Sequence, residues 1–168
     1  MKFLIVGYGF VGKATEHLIR LTDSTKGRHR IAIHDPMQGY TVDDDRYDYV
    51  FMSVPTPVKG DSLDVSLLRE VYEEHKHKGT VVIRSTIGPD HVEQYFSDAI
   101  IMPEFLRERC WKADVEDKKL PLIIGTKKQT RLFSLLRGIQ KPRIMTPREA
   151  AAFKLFRNSA LAMRVALA

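Results

Sequence analysis

Seven short apolar runs punctuate the chain, at residues 2–6, 30–34, 49–54, 80–85, 99–102, 121–125 and 143–145. Each is strand-length and apolar at successive positions, the pattern of a strand covered on both faces rather than half in water. Between most of them lie stretches with apolar residues three or four apart, at 11–21, 65–75, 89–96, 128–136 and from Pro147 onward, which predict helices. Strands alternating with helices imply βαβ units, and right-handed crossovers then lead to one architecture. That architecture is an α/β fold with a doubly wound, Rossmann-type, mostly parallel sheet flanked by helices in a single domain. Residues 39–48, with the acidic run Asp43-Asp44-Asp45, and the charged stretch 112–119 are predicted surface connections. The domain is expected to span 1–146, with 147–168 opening a following helical region. The sequence stops at Val165-Ala166-Leu167-Ala168 without a glycine or asparagine cap, so a truncated or unusually short chain is expected.

A length of 168 residues with 43% hydrophobic content suffices for one full core. No apolar run approaches the roughly 20 residues of a membrane span, and the opening run ends at Gly7 with no cleavage site after it. Cys110 is the only cysteine, which excludes an internal disulfide and fits a reducing, cytoplasmic setting. The net charge of +6 comes from basic residues interleaved with acids, so no nucleic-acid partner is expected and anionic small ligands suit the balance better. His75 and His77 sit with Lys76 and Lys78 near a helix end and have no cysteine or carboxylate pattern around them, so no metal site is predicted. The other histidines are scattered, and no hydrolase triad is discernible.

The chemistry begins at Gly7-Tyr8-Gly9-Phe10-Val11-Gly12, directly after the first strand. A dinucleotide turn needs its first glycine for a tight bend, its second for close approach of the pyrophosphate, and its third for helix packing. Helix N-terminal N–H groups then face the phosphates, which places Gly7, Gly9, Phe10, Val11 and Gly12 at the cofactor. The second run ends in His34-Asp35, about 20 residues on, where a carboxylate accepts from the adenosine ribose hydroxyls and repels the extra phosphate of NADP. NAD is therefore the predicted cofactor. Arg28 and Arg30 precede that strand and belong to its far end.

The later loops carry a set of phrases that a generic dinucleotide domain does not need. These are Ser53-Val54-Pro55-Thr56-Pro57, Ser85-Thr86-Ile87-Gly88-Pro89, Pro103-Glu104-Phe105-Leu106-Arg107-Glu108 and Ala151-Ala152-Phe153-Lys154-Leu155-Phe156-Arg157-Asn158. In order and spacing the chain resembles the N-terminal domain of the UDP-glucose/GDP-mannose dehydrogenase family over essentially its whole length. The resemblance implies an enzyme that oxidises a nucleotide-linked sugar CH2OH to a carboxylate with two NAD molecules, UDP-glucose being the expected substrate. It places Pro55, Thr56 and Thr86 in the cofactor cleft, Glu104 as the carboxylate that assists water, and Glu108 near the nicotinamide. It makes Lys154 the stabiliser of oxyanion character, with Asn158, one turn on, donating a hydrogen bond or holding a water.

Where the family has glycine after the second glutamate, this chain has Arg109. The family's cysteine nucleophile follows the Lys/Asn helix in a glycine-rich loop, a place Cys110 does not occupy, so these 168 residues are expected not to complete the two-step oxidation. A homodimer, or a further C-terminal domain, is the implied partner. Two alternatives are a short stand-alone NAD-binding or dehydrogenase-partner protein, and a hydroxyacid dehydrogenase of the 6-phosphogluconate type. The Pro-Glu-Phe-Leu-Arg-Glu phrase speaks against the latter.

Overall fold

The computed structural model describes residues 1–23, 27–117 and 119–167; Ala168, at the end of the predicted terminal helix, lies outside them. Nine strands alternate with six helices among the described residues: β1 (Lys2–Val6), α1 (Phe10–Leu21), β2 (Arg30–His34), β3 (Tyr49–Met52), β4 (Val58–Lys59), β5 (Ser62–Leu63), α2 (Ser66–His75), β6 (Thr80–Ile83), α3 (Pro89–Tyr95), β7 (Ile100–Ile101), α4 (Trp111–Glu116), β8 (Ile123–Gly125), α5 (Arg131–Leu136), β9 (Arg143–Met145) and α6 (Pro147–Ala166). Seven of the strands form one sheet in the order β2-β1-β3-β6-β7-β8-β9, while β4 and β5 make a separate hairpin.

From β2 to β7 the sheet is parallel; β8 joins β7 antiparallel, and β9 runs parallel to β8. Each strand sends alternate residues to opposite faces, and each face has its own core. Leu4, Val6, Val50, Met52, Val81 and Ile83 meet Leu68 and Tyr72 of α2, Val92 of α3 and Ala150 and Ala151 of α6. Phe3, Ile5, Tyr49, Phe51 and Val82 meet Leu18 and Ile19 of α1 and Leu132 and Leu136 of α5 on the other side. Helices on both faces explain why the strand runs read as continuously apolar.

Two predicted strands end early. Residues 53–54 and 84–85 leave the ladder, since Pro55 and Pro57 carry no N–H and the Arg84 and Ser85 N–H groups both turn to the Met52 carbonyl. The stretch 112–119, expected as a surface connection, instead contains α4, packed against α1.

The last helix opens on a capping box. Thr146 Oγ1 accepts from Glu149 N–H at 3.2 Å, the Thr146 N–H donates to Glu149 Oε2 at 2.8 Å, and Pro147 follows at the first helical position. Its first two turns belong to the sheet's core through Pro147, Ala150, Ala151 and Lys154, and a Cβ at Gly125 of β8 would lie 2.5 Å from the Ala150 Cβ. Beyond Lys154 the helix is largely bare, with Phe156, Met163 and Val165 exposed.

Candidate functional site

Succession along the sheet reverses between β1 and β3, and loops leaving the C-terminal ends of neighbouring strands diverge at such a point. A cleft of about 820 Å³ opens there, lined by the loops after β1, β2, β3 and β6, by one side of α2, and by Glu104.

The three glycines have three different reasons to be glycine. Gly7 has φ +83°, and a Cβ there would lie 2.8 Å from the Ser53 carbonyl oxygen. At Gly12 a Cβ would sit 2.2 Å from the Gly7 carbonyl oxygen, so the helix can approach its own strand only without one. A Cβ at Gly9 would meet no protein atom within 4 Å; Gly9 is exposed and faces the cleft. Phe10 and Val11 line the same wall, at the start of a helix whose first-turn N–H groups have no helical acceptor and whose first turn holds no acid.

Asp35 lies across from them. Its Oδ2 accepts from the Tyr8 N–H at 2.7 Å and from Gln38 Nε2 at 2.8 Å, which locks the carboxylate to the glycine loop. Among the described residues Oδ1 has no hydrogen-bond partner. Tyr8 itself is anchored by its hydroxyl, which donates to Glu16; burial and that carboxylate push the phenol up to about 12.

Thr56 Oγ1 donates to the Thr86 carbonyl at 2.7 Å, so this hydroxyl ties the loop after β3 to the loop after β6. Ser85 Oγ repeats the tie to the Val54 carbonyl at 2.7 Å. Pro55, Thr56 and Thr86 all line the cleft.

At the cleft's far side two side chains from distant parts of the chain meet. Lys154 Nζ lies 2.9 Å from Glu104 Oε1 and also donates to the Glu104 main-chain carbonyl. The side chains of lysine and glutamate are 7% and 11% exposed. Glu104 Oε2 accepts from the Leu106 N–H at 2.7 Å, and Lys154 Nζ stands 5.4 Å from the centre of the Phe105 ring. A carboxylate held by one cation and one amide keeps its place. It can accept a proton from a bound water only where an oxygen still faces the cleft.

Not every predicted residue joins this site. Glu108 lies exposed on a 3-10 turn (Glu108–Cys110), because residues 104–107 are not helical and so do not carry it back towards Glu104. Asn158 is exposed on the bare part of α6, and Cys110 is exposed beside the turn.

Arg84, directly after β6, lines the cleft without having been among the predicted site residues. It is 5% exposed, burial pushes its guanidinium down to about 10, and its Nε has no partner. A lone charge ending an apolar run was the available signal. Reasoning from sequence also set His75 beside His77. The structure separates them: His77 is exposed and 3.4 Å from Asp44, while His75 is wholly buried, with burial pushing its ring down to about 4.

No family model matches the sequence, and no curated protein sequence matches it. Solved structures do. GDP-mannose dehydrogenase from Pseudomonas aeruginosa, solved as a ternary complex, superposes with a TM-score of 0.76 at 20% identity over 98% of this chain and 51% of its own. UDP-D-ManNAc dehydrogenase from Pyrococcus horikoshii gives 0.74 at 19% identity over 99% of this chain and 52% of its own. A reductive aminase from Aspergillus terreus in complex with NADPH4 gives 0.62 at 10% identity over 98% and 62%. The chain thus shares its fold with dehydrogenases of nucleotide sugars and spans about half the length of the two above.

Proposed function

We propose that the chain is the NAD-binding part of a nucleotide-sugar 6-dehydrogenase, UDP-glucose 6-dehydrogenase-like, that oxidises a sugar CH2OH to a carboxylate. The observation that carries this reading is the buried Lys154–Glu104 pair at the edge of the dinucleotide cleft. A domain that only held a dinucleotide would not need to take a lysine and a glutamate out of water there.

The cleft fits the cofactor. Open space at Gly9 leaves room for a pyrophosphate against the first turn of α1, and Asp35 Oδ1 remains to accept from a ribose hydroxyl. The charge of Asp35 repels a ribose phosphate, which favours NAD over NADP. NAD, when bound, supplies the two-electron acceptor for the alcohol carbon.

This chain's own groups supply a hydrogen-bond donor and a base. Lys154 Nζ donates to the oxygen that gains negative charge as the alcohol reacts, a contribution of about 3 kcal/mol for one well-placed donor. Glu104 accepts a proton from the attacking water, while Lys154 and the Leu106 N–H hold its carboxylate.

The test is NADH formation by the protein that carries this chain, with UDP- and GDP-sugars as substrates. Turnover that Lys154→Ala lowers at least about 100-fold, with NAD affinity held, is the expected result. A protein that binds NAD yet reduces it with no nucleotide sugar contradicts the reading.

A further inference from the structure

One cluster beside the cleft takes no part in the proposed chemistry. His34 closes β2, directly before Asp35, and Glu74 and His75 close α2. The fold brings these three together from positions 40 residues apart, and a ligand atom from each lies within 4.8 Å of the others. Glu74 Oε1 is 3.4 Å from His75 Nε2. His75 is 0% exposed, and neither of its ring nitrogens has a hydrogen-bond partner; the buried Nδ1 of His34 has none either.

Buried polar atoms are almost always satisfied, so three unpartnered imidazole nitrogens in one place call for a partner. Ring packing does not supply it. The two imidazoles meet edge to face, with centroids 4.8 Å apart at 70°, and a contact of that kind leaves ring nitrogens unbonded. Two imidazoles and a carboxylate are a donor set for zinc-class divalent ions. Bond lengths of 2.0–2.1 Å place tetrahedral ligand atoms about 3.3 Å apart, a modest contraction from the spacing seen. His34 ends a strand, and Glu74, an exposed side chain in the last turn of a helix, has room to close. Since both also line the cleft, the fourth coordination position opens towards it.

We propose that His34, Glu74 and His75 form a binding site for a zinc-class divalent cation in the cleft wall beside Asp35. This site stands apart from the nucleotide-sugar reading, and its test uses the metal alone.

Zn²⁺ titrated by calorimetry into the tag-free, metal-stripped protein is expected to bind at one equivalent. Co²⁺ in its place is expected to give the intense visible bands of a four-coordinate site. His34→Gln and Glu74→Gln, both on the cleft side where the fold tolerates change, should each weaken binding at least about tenfold. His77→Gln, two residues from His75 but pointing elsewhere, should leave it unchanged. Absence of binding, or affinity that survives both cleft-side changes, or loss in His77→Gln, overturns the proposal; circular dichroism confirms that each variant is folded.

Discussion

Gly9 and Gly12 stand three positions apart and answer to different constraints. Gly12 exists for the protein, because a methyl group there would collide with the Gly7 carbonyl at 2.2 Å. Gly9 has open space, which in the proposed function receives the pyrophosphate. Gly12→Ala should therefore cost about 3 kcal/mol in urea denaturation, as overpacking against a backbone does. Gly9→Ala should cost less than about 1 kcal/mol, the value of a lost glycine N-cap, yet lower NAD affinity at least about tenfold in calorimetry. Equal effects of the two changes on stability would contradict the division. Residue types at fixed spacing were legible here because the turn is local. Arg84 and Ser53 were not, since their place at the cleft floor depends on strands that pair across the sheet.

At the scale of elements, α4 shows what periodicity misses. Six charged and apolar residues are too few to display a helical face, so the segment reads as a connection. In the structure Asp114 of α4 is 4% exposed and reaches back to Arg107, accepting from its N–H at 2.7 Å and its Nη2 at 2.7 Å. The Arg107 side chain holds the Asp114 carboxyl below the usual carboxylate range. A depressed carboxylate stabilises the fold above its unfolded pKa of about 3.9, and that contribution is lost as pH falls through the folded value. Asp114→Asn should thus be less stable than the parent by about 1–2 kcal/mol at neutral pH. The gap should close below about pH 4, read from denaturation midpoints. A gap independent of pH would show that the charge is irrelevant.

The helix α6 poses a converse case: its start at Pro147 was legible in the sequence, but the division at Lys154 between a buried and a bare half was not. Lys154 joins Glu104 across 50 residues. Lys154→Met should cost about 3 kcal/mol by leaving Glu104 buried without its cation. Adding Glu104→Gln should recover more than about 1 kcal/mol of the expected sum. Additive costs would mean that the two groups do not interact.

For the molecule as a whole, alternation of strand and helix patterns led to a doubly wound sheet, and the cleft falls where succession reverses between β1 and β3. The direction of β8 was not legible, because an apolar run reads alike in either sense; its antiparallel pairing with β7 joins residues more than 20 positions apart in sequence. The juxtaposition of His34 with His75 was hidden for a related reason. Helical spacing groups His75 with its neighbours in sequence, whereas the packing of α2 on β3 sets it against His34 at the end of another strand.

The proposed function requires that the cleft accept one dinucleotide, and the central test is to titrate NAD and NADP separately into the parent chain and Asp35→Ala. The predicted result is one NAD per chain, with NADP at least about tenfold weaker in the parent. In Asp35→Ala, NAD should weaken by about 10–100-fold, the value of hydrogen bonds to a charged group, and the preference over NADP should disappear. No NAD binding by the folded chain, or equal affinities before and after the substitution, would contradict it.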